Sequence, residues 1–216
     1  MERTRIDLSF SILTDCLHVT LQTGTRKGFY THNEQAEVRI NPDTSEPEVV
    51  RPAILQIICP PDCDFSSAER QLWLEKAITE GIRAHAKAQL IPRLRALAEH
   101  FDVELKEIKV NSSRGRWGSC SCRRTKGRRT FLSVLFGPKE KPSFNINLSL
   151  FTLLLPYDVQ RLILLHELMH TRHMNHSAAF HADLNQWLDG KEKALEAKLK
   201  RYSTNIYSFQ SFDRHS

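Results

Sequence analysis

Leu162-Ile163-Leu164-Leu165-His166-Glu167-Leu168-Met169-His170-Thr171-Arg172-His173-Met174-Asn175-His176 is the segment from which the remainder of the chain is read. It contains H-E-x-x-H, and a further histidine, His176, follows after the next five residues. On an α-helix, positions four apart lie about 40° apart around the axis and one turn along it. His166 and His170 can therefore aim two imidazoles at one metal ion. Glu167 is rotated by about 100° from His166, so it reaches the outer shell of that ion rather than the ion itself. There it would orient a bound water and take its proton, as in zinc hydrolases with a helical H-E-x-x-H.

His176 is expected as the third ligand. A straight helix would carry it to about 280° from His166, on the wrong side. The helix must therefore stop after His170 and the chain must turn back, with Met174-Asn175 as the expected place because asparagine tolerates left-handed backbone angles. Three imidazoles fill three tetrahedral positions and leave the fourth for water, the arrangement of a catalytic Zn2+. The plainer reading is a buried helix with hydrogen-bonded histidines. It explains poorly why two histidines and an acid stand in so apolar a segment, because unpaired buried polar groups are costly.

The chain has 216 residues, 40% of them apolar and 26% charged, as in an ordinary globular protein. No apolar run is long enough to span a bilayer, and Met1 to Asp7 lacks the apolar core of a secretion signal, so a cytoplasmic location is expected. Five cysteines (Cys16, Cys59, Cys63, Cys120, Cys122) do not make a disulfide scaffold. The pairs Cys59/Cys63 and Cys120/Cys122 lack companions for a second zinc, and reduced structural thiols are expected. The net charge of +6 is uneven: Arg114, Arg116, Arg123, Arg124, Lys126, Arg128 and Arg129 fall together with no acid between them.

Residues 5–60 read as β-structure. Ile6–Ile12 and Leu17–Leu21 alternate apolar and polar residues, and Glu37–Ile40 and Ala53–Ile58 are the next strands, with Pro42, Pro47 and Pro52 in the loop between. Ser66 and Glu69 form a capping box for a helix running to about Leu90; Pro92 is expected to break or kink it, and a shorter helix runs from Arg93 to about His100. His85 and His100 read as surface residues rather than ligands. Val103–Val110, Phe131–Phe136 and Phe144–Leu148 read as strands, the second after a basic hairpin. The metal helix starts near Pro156 and Asp158. Ser177 caps a helix whose Phe180, Leu184, Trp187 and Leu188 share one apolar face, ended by Asp189-Gly190. Lys191–Arg201 reads as a charged helix.

Three pieces resemble the YgjP-like metal-dependent hydrolase family, related to the SprT-like and Wss1-like (WLM) zinc proteases. They are Arg116-Trp117-Gly118-Ser119-Cys120-Ser121, similar to R-W-G-S-C-S; His166-Glu167-Leu168 with His170; and Asn175-His176-Ser177 with Phe180, similar to N-H-S-x-x-F. Ile146-Asn147-Leu148 resembles the family's strand before the metal helix. The resemblance implies an α+β fold with a zincin-like core, a mixed sheet plus the H-E-x-x-H helix, preceded by a small antiparallel sheet. It also implies His166, His170 and His176 as zinc ligands and Glu167 as general base. The corresponding organisation is an N-terminal β-sheet region over 1–65, a zincin-like hydrolase domain over 66–205 and a flexible tail over 206–216. Two departures stand out. His181 occupies the position of a family tryptophan, and residues 123–143 make a longer connection than the family's.

Arg116 and His181 are candidates for substrate or oxyanion contact, against the plainer reading of solvated side chains. Trp117 is expected to fill core, and Gly118 to let a backbone pass closely. The leading expectation is a zinc-dependent metallopeptidase acting on a peptide or protein. A metal-dependent nucleotide phosphohydrolase is the alternative, although no glycine-rich phosphate cradle and no second carboxylate cluster is evident. A third reading is a nucleic-acid-associated protein using the basic 114–129 segment, against a solvated basic hairpin. Substrate identity and oligomeric state have no signal in the sequence.

Overall fold

In Leu17–Thr23 (β2) and Ala53–Cys59 (β6), alternation turns Leu17, Val19, Leu21, Ala53, Leu55 and Ile57 to one buried face. A computed structural model describes residues 5–42, 46–123 and 143–210 of the chain. In it these two strands pair in parallel, with Leu17 opposite Ala53. Ser11–Leu13 (β1) pairs antiparallel with β2, and Tyr30–Glu34 (β3) antiparallel with β6, giving the order β1-β2-β6-β3. The N-terminal sheet is thus mixed, where an antiparallel sheet was expected. Parallel neighbours require a crossover, and residues 24–52 supply it through β3 and the hairpin of Glu37–Ile40 (β4) and Pro47–Arg51 (β5).

Several boundaries differ from those expected for local reasons. The first strand is shorter than Ile6–Ile12 because the Asp7 carboxylate accepts the backbone N–H and hydroxyl of Ser9, at 2.8 and 2.6 Å, in a turn. β3 and β5 carry few buried side chains, so their sequences show no clear alternation. Pro47 heads β5, a position where its missing N–H is tolerated.

Ala68–His100 (α1) is one helix of 33 residues with Pro92 inside it. The expected break is absent: Leu90, Leu94 and Leu97 on either side of Pro92 are fully buried, so tertiary packing holds the helix across the missing hydrogen bond. Its N-cap is Ser67, whose hydroxyl accepts from the N–H of Arg70, while Ser66 donates to Asp64 instead. α1 lies against β6 at Gly81, where a Cβ would come within 2.4 Å of a Leu55 methyl. His85, expected at the surface, is buried and pairs with Asn33.

The second sheet has the order Leu105–Asn111 (β7), Ser143–Ser149 (β9), Gly118–Arg123 (β8), with β9 parallel to β7 and antiparallel to β8. The expected strand at Phe131–Phe136 lies outside the described residues. Tyr157–Met169 (α2), Ala178–Trp187 (α3) and Glu192–Leu199 (α4) follow, so the described residues form an α+β fold with several sheets and four α-helices. The start of α2 is tied to α1 by Arg93, a buried guanidinium. Arg93 donates to the Gln160 side chain at 2.9 Å and to the Tyr157 carbonyl at 3.2 Å, and stacks over the Tyr157 ring. Gln160 in turn donates to the carbonyls of Leu153 and Leu155. One apolar cluster runs from the first sheet through α1 to α2 and α3. Ile206–Phe209 forms a 3-10 turn with Ile206 and Phe209 buried, so the chain is packed beyond the 206 boundary expected for a flexible tail. Among the described residues, no helix is long and apolar enough to cross a membrane.

Candidate metal centre

α2 ends at Met169, with His170 as its C-cap, as the helix stop required. The next three N–H groups, of Thr171, Arg172 and His173, all bond back to carbonyls of Leu168 and Met169, which curls the chain off the helix axis. The reversal uses no left-handed residue at Met174-Asn175: among the described non-glycine residues, positive φ occurs only at Asp102 and Asp189. Instead, His173 anchors the turn through a 2.7 Å contact with Asp183 on α3. Ser177 then caps α3 by accepting the N–H of Phe180 at 3.2 Å.

This path returns His176 to the face that carries His166 and His170. One ring nitrogen from each lies within 4.8 Å of the others. The Nε2 atoms of His166 and His176 are 3.0 Å apart. Two nitrogens bound tetrahedrally at the usual zinc distance would sit about 3.4 Å apart, so the spacing is near that of ligands to one ion. His170 donates from Nδ1 to the His173 carbonyl at 3.0 Å, which leaves its Nε2 as the lone-pair nitrogen. Burial, with His170 and His176 adjacent, pushes the His166 imidazole down to about 4, and burial lowers His170 as well. Both are held in the neutral form that a metal requires. The buried ring of Phe180 stands 4.9 to 5.0 Å from all three imidazoles and forms the floor of the cluster. Sequence reading assigned Phe180 to core without this role.

Glu167 packs against β8 at Gly118 and Cys120. It is only 5% exposed, and burial raises its carboxyl to about 8, opposed in part by the positive charge of exposed Arg116. Its Oε2 is buried without a hydrogen-bond partner among the described residues. The space for this side chain exists because residue 118 is glycine: a Cβ there would lie 2.5 Å from Glu167 Oε1. The expected close approach at Gly118 is therefore to a carboxylate. Trp117 packs against the core edge-on to Phe209, and its carbonyl accepts from the backbone N–H of Ser149 and the hydroxyl of Thr152. Cys120 lies near Glu167, and burial pushes its thiol up to about 12. All five cysteines are free thiols, and none joins a group of three metal-capable side chains among the described residues.

His181 is not turned into the three-histidine cluster. Its ring stands 6.2 Å from that of His176, and its Nδ1 pairs with Glu192 at 2.6 Å. With Glu192 and Glu196 it makes a second group of metal-capable side chains, which corrects the expectation that no second carboxylate cluster exists. The basic segment is described only to Arg123, and Arg114 pairs with Glu75 at 2.8 Å. The donor set fits a borderline transition metal: three imidazoles around a gap, with an unpaired buried carboxylate oxygen beside it.

No curated protein and no solved structure matches the chain. A family model does, over residues 17–126 and 136–202; the break falls within residues 123–143, the connection expected to be longer than the family's. With that match covering β2 to β9 and all four described α-helices, the chain belongs to the YgjP-like family and carries its metallopeptidase domain.

Proposed function

We propose that this protein is a zinc-dependent metallopeptidase of zincin type. His166, His170 and His176 hold the ion, and Glu167 is the general base. The observation that carries the reading is the convergence of three imidazoles, with the next residue along the helix after His166 a buried carboxylate that has an oxygen unpaired among the described residues. A bound Zn2+ would supply an acidified water and polarise the scissile carbonyl. The remaining work falls to the chain. Glu167, held by Gly118 and starved of solvent, has a proton affinity suited to taking a proton near neutral pH and passing it to the leaving amine. Phe180 keeps water off the back of the imidazoles, and the His173 carbonyl fixes the His170 ring. Arg116 adds positive charge at the mouth, suited to a substrate carboxylate or a developing oxyanion. Residues 66–205 form the catalytic unit in this reading, with 1–65 buttressing α1.

Glu167→Gln is the decisive variant. It should keep its zinc and lose about 10²- to 10⁴-fold in peptide hydrolysis. Full activity in that variant would reject the assignment. Metal-loaded protein offered casein and nucleoside triphosphates side by side should cleave only the first; release of phosphate instead would move the activity to phosphoanhydrides.

A further inference from the structure

We propose that His181, Glu192 and Glu196 form a second divalent-cation site, adjacent to the three-histidine cluster and sharing no ligand with it. One donor atom from each residue lies within 4.8 Å of the other two. Glu192 and Glu196 are one turn apart on α4 and so project from one face of it. His181 reaches them from α3.

The placement is built by the backbone. Asp189 and Gly190 both adopt positive φ, at 53° and 79°, which turns the chain between the end of α3 and the start of α4. The Asn185 side chain then accepts the backbone N–H of Glu192 at 3.2 Å and sets the first turn of α4. The Glu192 carboxylate is consequently 5% exposed. A buried carboxylate is costly unless positive charge meets it. Among the described residues, its ion-pair partner is His181, which carries charge only when protonated. Glu196 has no ion pair among the described residues, although its carboxylate is drawn up to the same point. The two carboxylates repel one another at this spacing unless a cation or a proton lies between them.

An ion would take the place of the proton that His181 Nδ1 and Glu192 Oε1 share at 2.6 Å. Seating a bridging ion would require the half-exposed His181 ring to move back from Glu192. One imidazole with two carboxylates suits Mn2+, Fe2+ or Zn2+; Ca2+ and Mg2+ prefer oxygen alone. The ion would clamp α3 to α4. Because α3 begins directly after His176, the clamp also steadies the turn that presents that imidazole. The site depends on residues outside H-E-x-x-H, and on a histidine where the family resemblance leads one to expect tryptophan.

The test is metal stoichiometry on the full chain, stripped with chelator, then dialysed against Mn2+ or Zn2+. Wild type should hold two equivalents. Glu196→Gln should hold one; it keeps the His181–Glu192 pair and so keeps the fold. His166→Ala/His170→Ala should also hold one, and adding Glu196→Gln to it should leave none. Mn2+ should raise the melting temperature of the His166→Ala/His170→Ala protein and leave that of the triple variant unchanged. One equivalent in wild type that disappears in His166→Ala/His170→Ala overturns the second site and leaves the first intact. Two equivalents retained in Glu196→Gln overturn it as well. One equivalent that survives His166→Ala/His170→Ala and disappears in Glu196→Gln supports the second site while rejecting the three-histidine one.

Discussion

The two ends of α2 both carry buried polar side chains, Gln160 at one and Glu167 at the other, and they treat them in different ways. At the N-terminal end, Gln160 gives and receives hydrogen bonds from Arg93, Leu153 and Leu155, and Arg161 binds Glu46 and the Trp187 carbonyl. Apart from Arg93 Nε, which has no partner among the described residues, the polar atoms of this knot are paired internally. At the C-terminal end, Glu167 keeps an oxygen without a partner, and the imidazoles face each other across a gap. One helix thus carries a closed polar network that holds it and an open one that has chemistry left to do. A carboxyl perturbed by burial next to ligand-capable imidazoles, more than polarity itself, separates the site from the scaffold.

The comparison predicts how each end fails. The largest effect belongs to the open end. His170→Ala should leave the three-histidine site without its ion and reduce peptide hydrolysis to background, while circular dichroism stays near wild type. Next comes the closed end: Arg93→Leu strands Gln160 and the Tyr157 carbonyl and should lower unfolding free energy by about 2–4 kcal/mol, measured in urea. Its metal content at saturating zinc should be unchanged; loss of metal there would mean that the two ends are one unit.

A third prediction concerns pH. Glu167 binds its proton more tightly in the folded chain, at about 8, than at its ordinary value of 4.5. Its contribution is therefore fully present below about pH 4.5 and is lost as pH rises through 8. In chelator-treated protein, Glu167→Gln should remove this slope and gain on the order of a few kcal/mol near pH 8. Equal pH dependence in the two proteins would show that the carboxyl is not held neutral. The smallest effect is expected at Gly118→Ala. The added methyl meets Glu167 Oε1 and should cost about 1–3 kcal/mol by overpacking. It should also slow turnover by displacing the base, with zinc retained.

The chemistry-bearing helix, its stop at His170, the cap at Ser177 and the return of His176 were all legible beforehand, because each depends on spacing within a few residues. The errors have the same origin. Pro92 was expected to break or kink α1 and divide it in two, yet the helix runs on unbroken because buried leucines on both flanks outweigh the lost hydrogen bond. Asn175 was expected to make the reversal, yet the His173–Asp183 contact does so, between residues whose proximity no local pattern announces. β3 and β5 escaped because their side chains face water and leave no apolar rhythm.

By itself the sequence determined which residues share a helical face and where that helix ends, since backbone hydrogen bonds of fixed reach impose the period. Only the tertiary structure decided that Glu167 would be dry, that Phe180 would lie beneath three imidazoles, and that His181 would meet Glu192 and Glu196 instead of them. Those outcomes depend on which distant surfaces close over which side chains. Burial then determines whether a carboxylate is an ordinary solvated acid or a base held near neutrality.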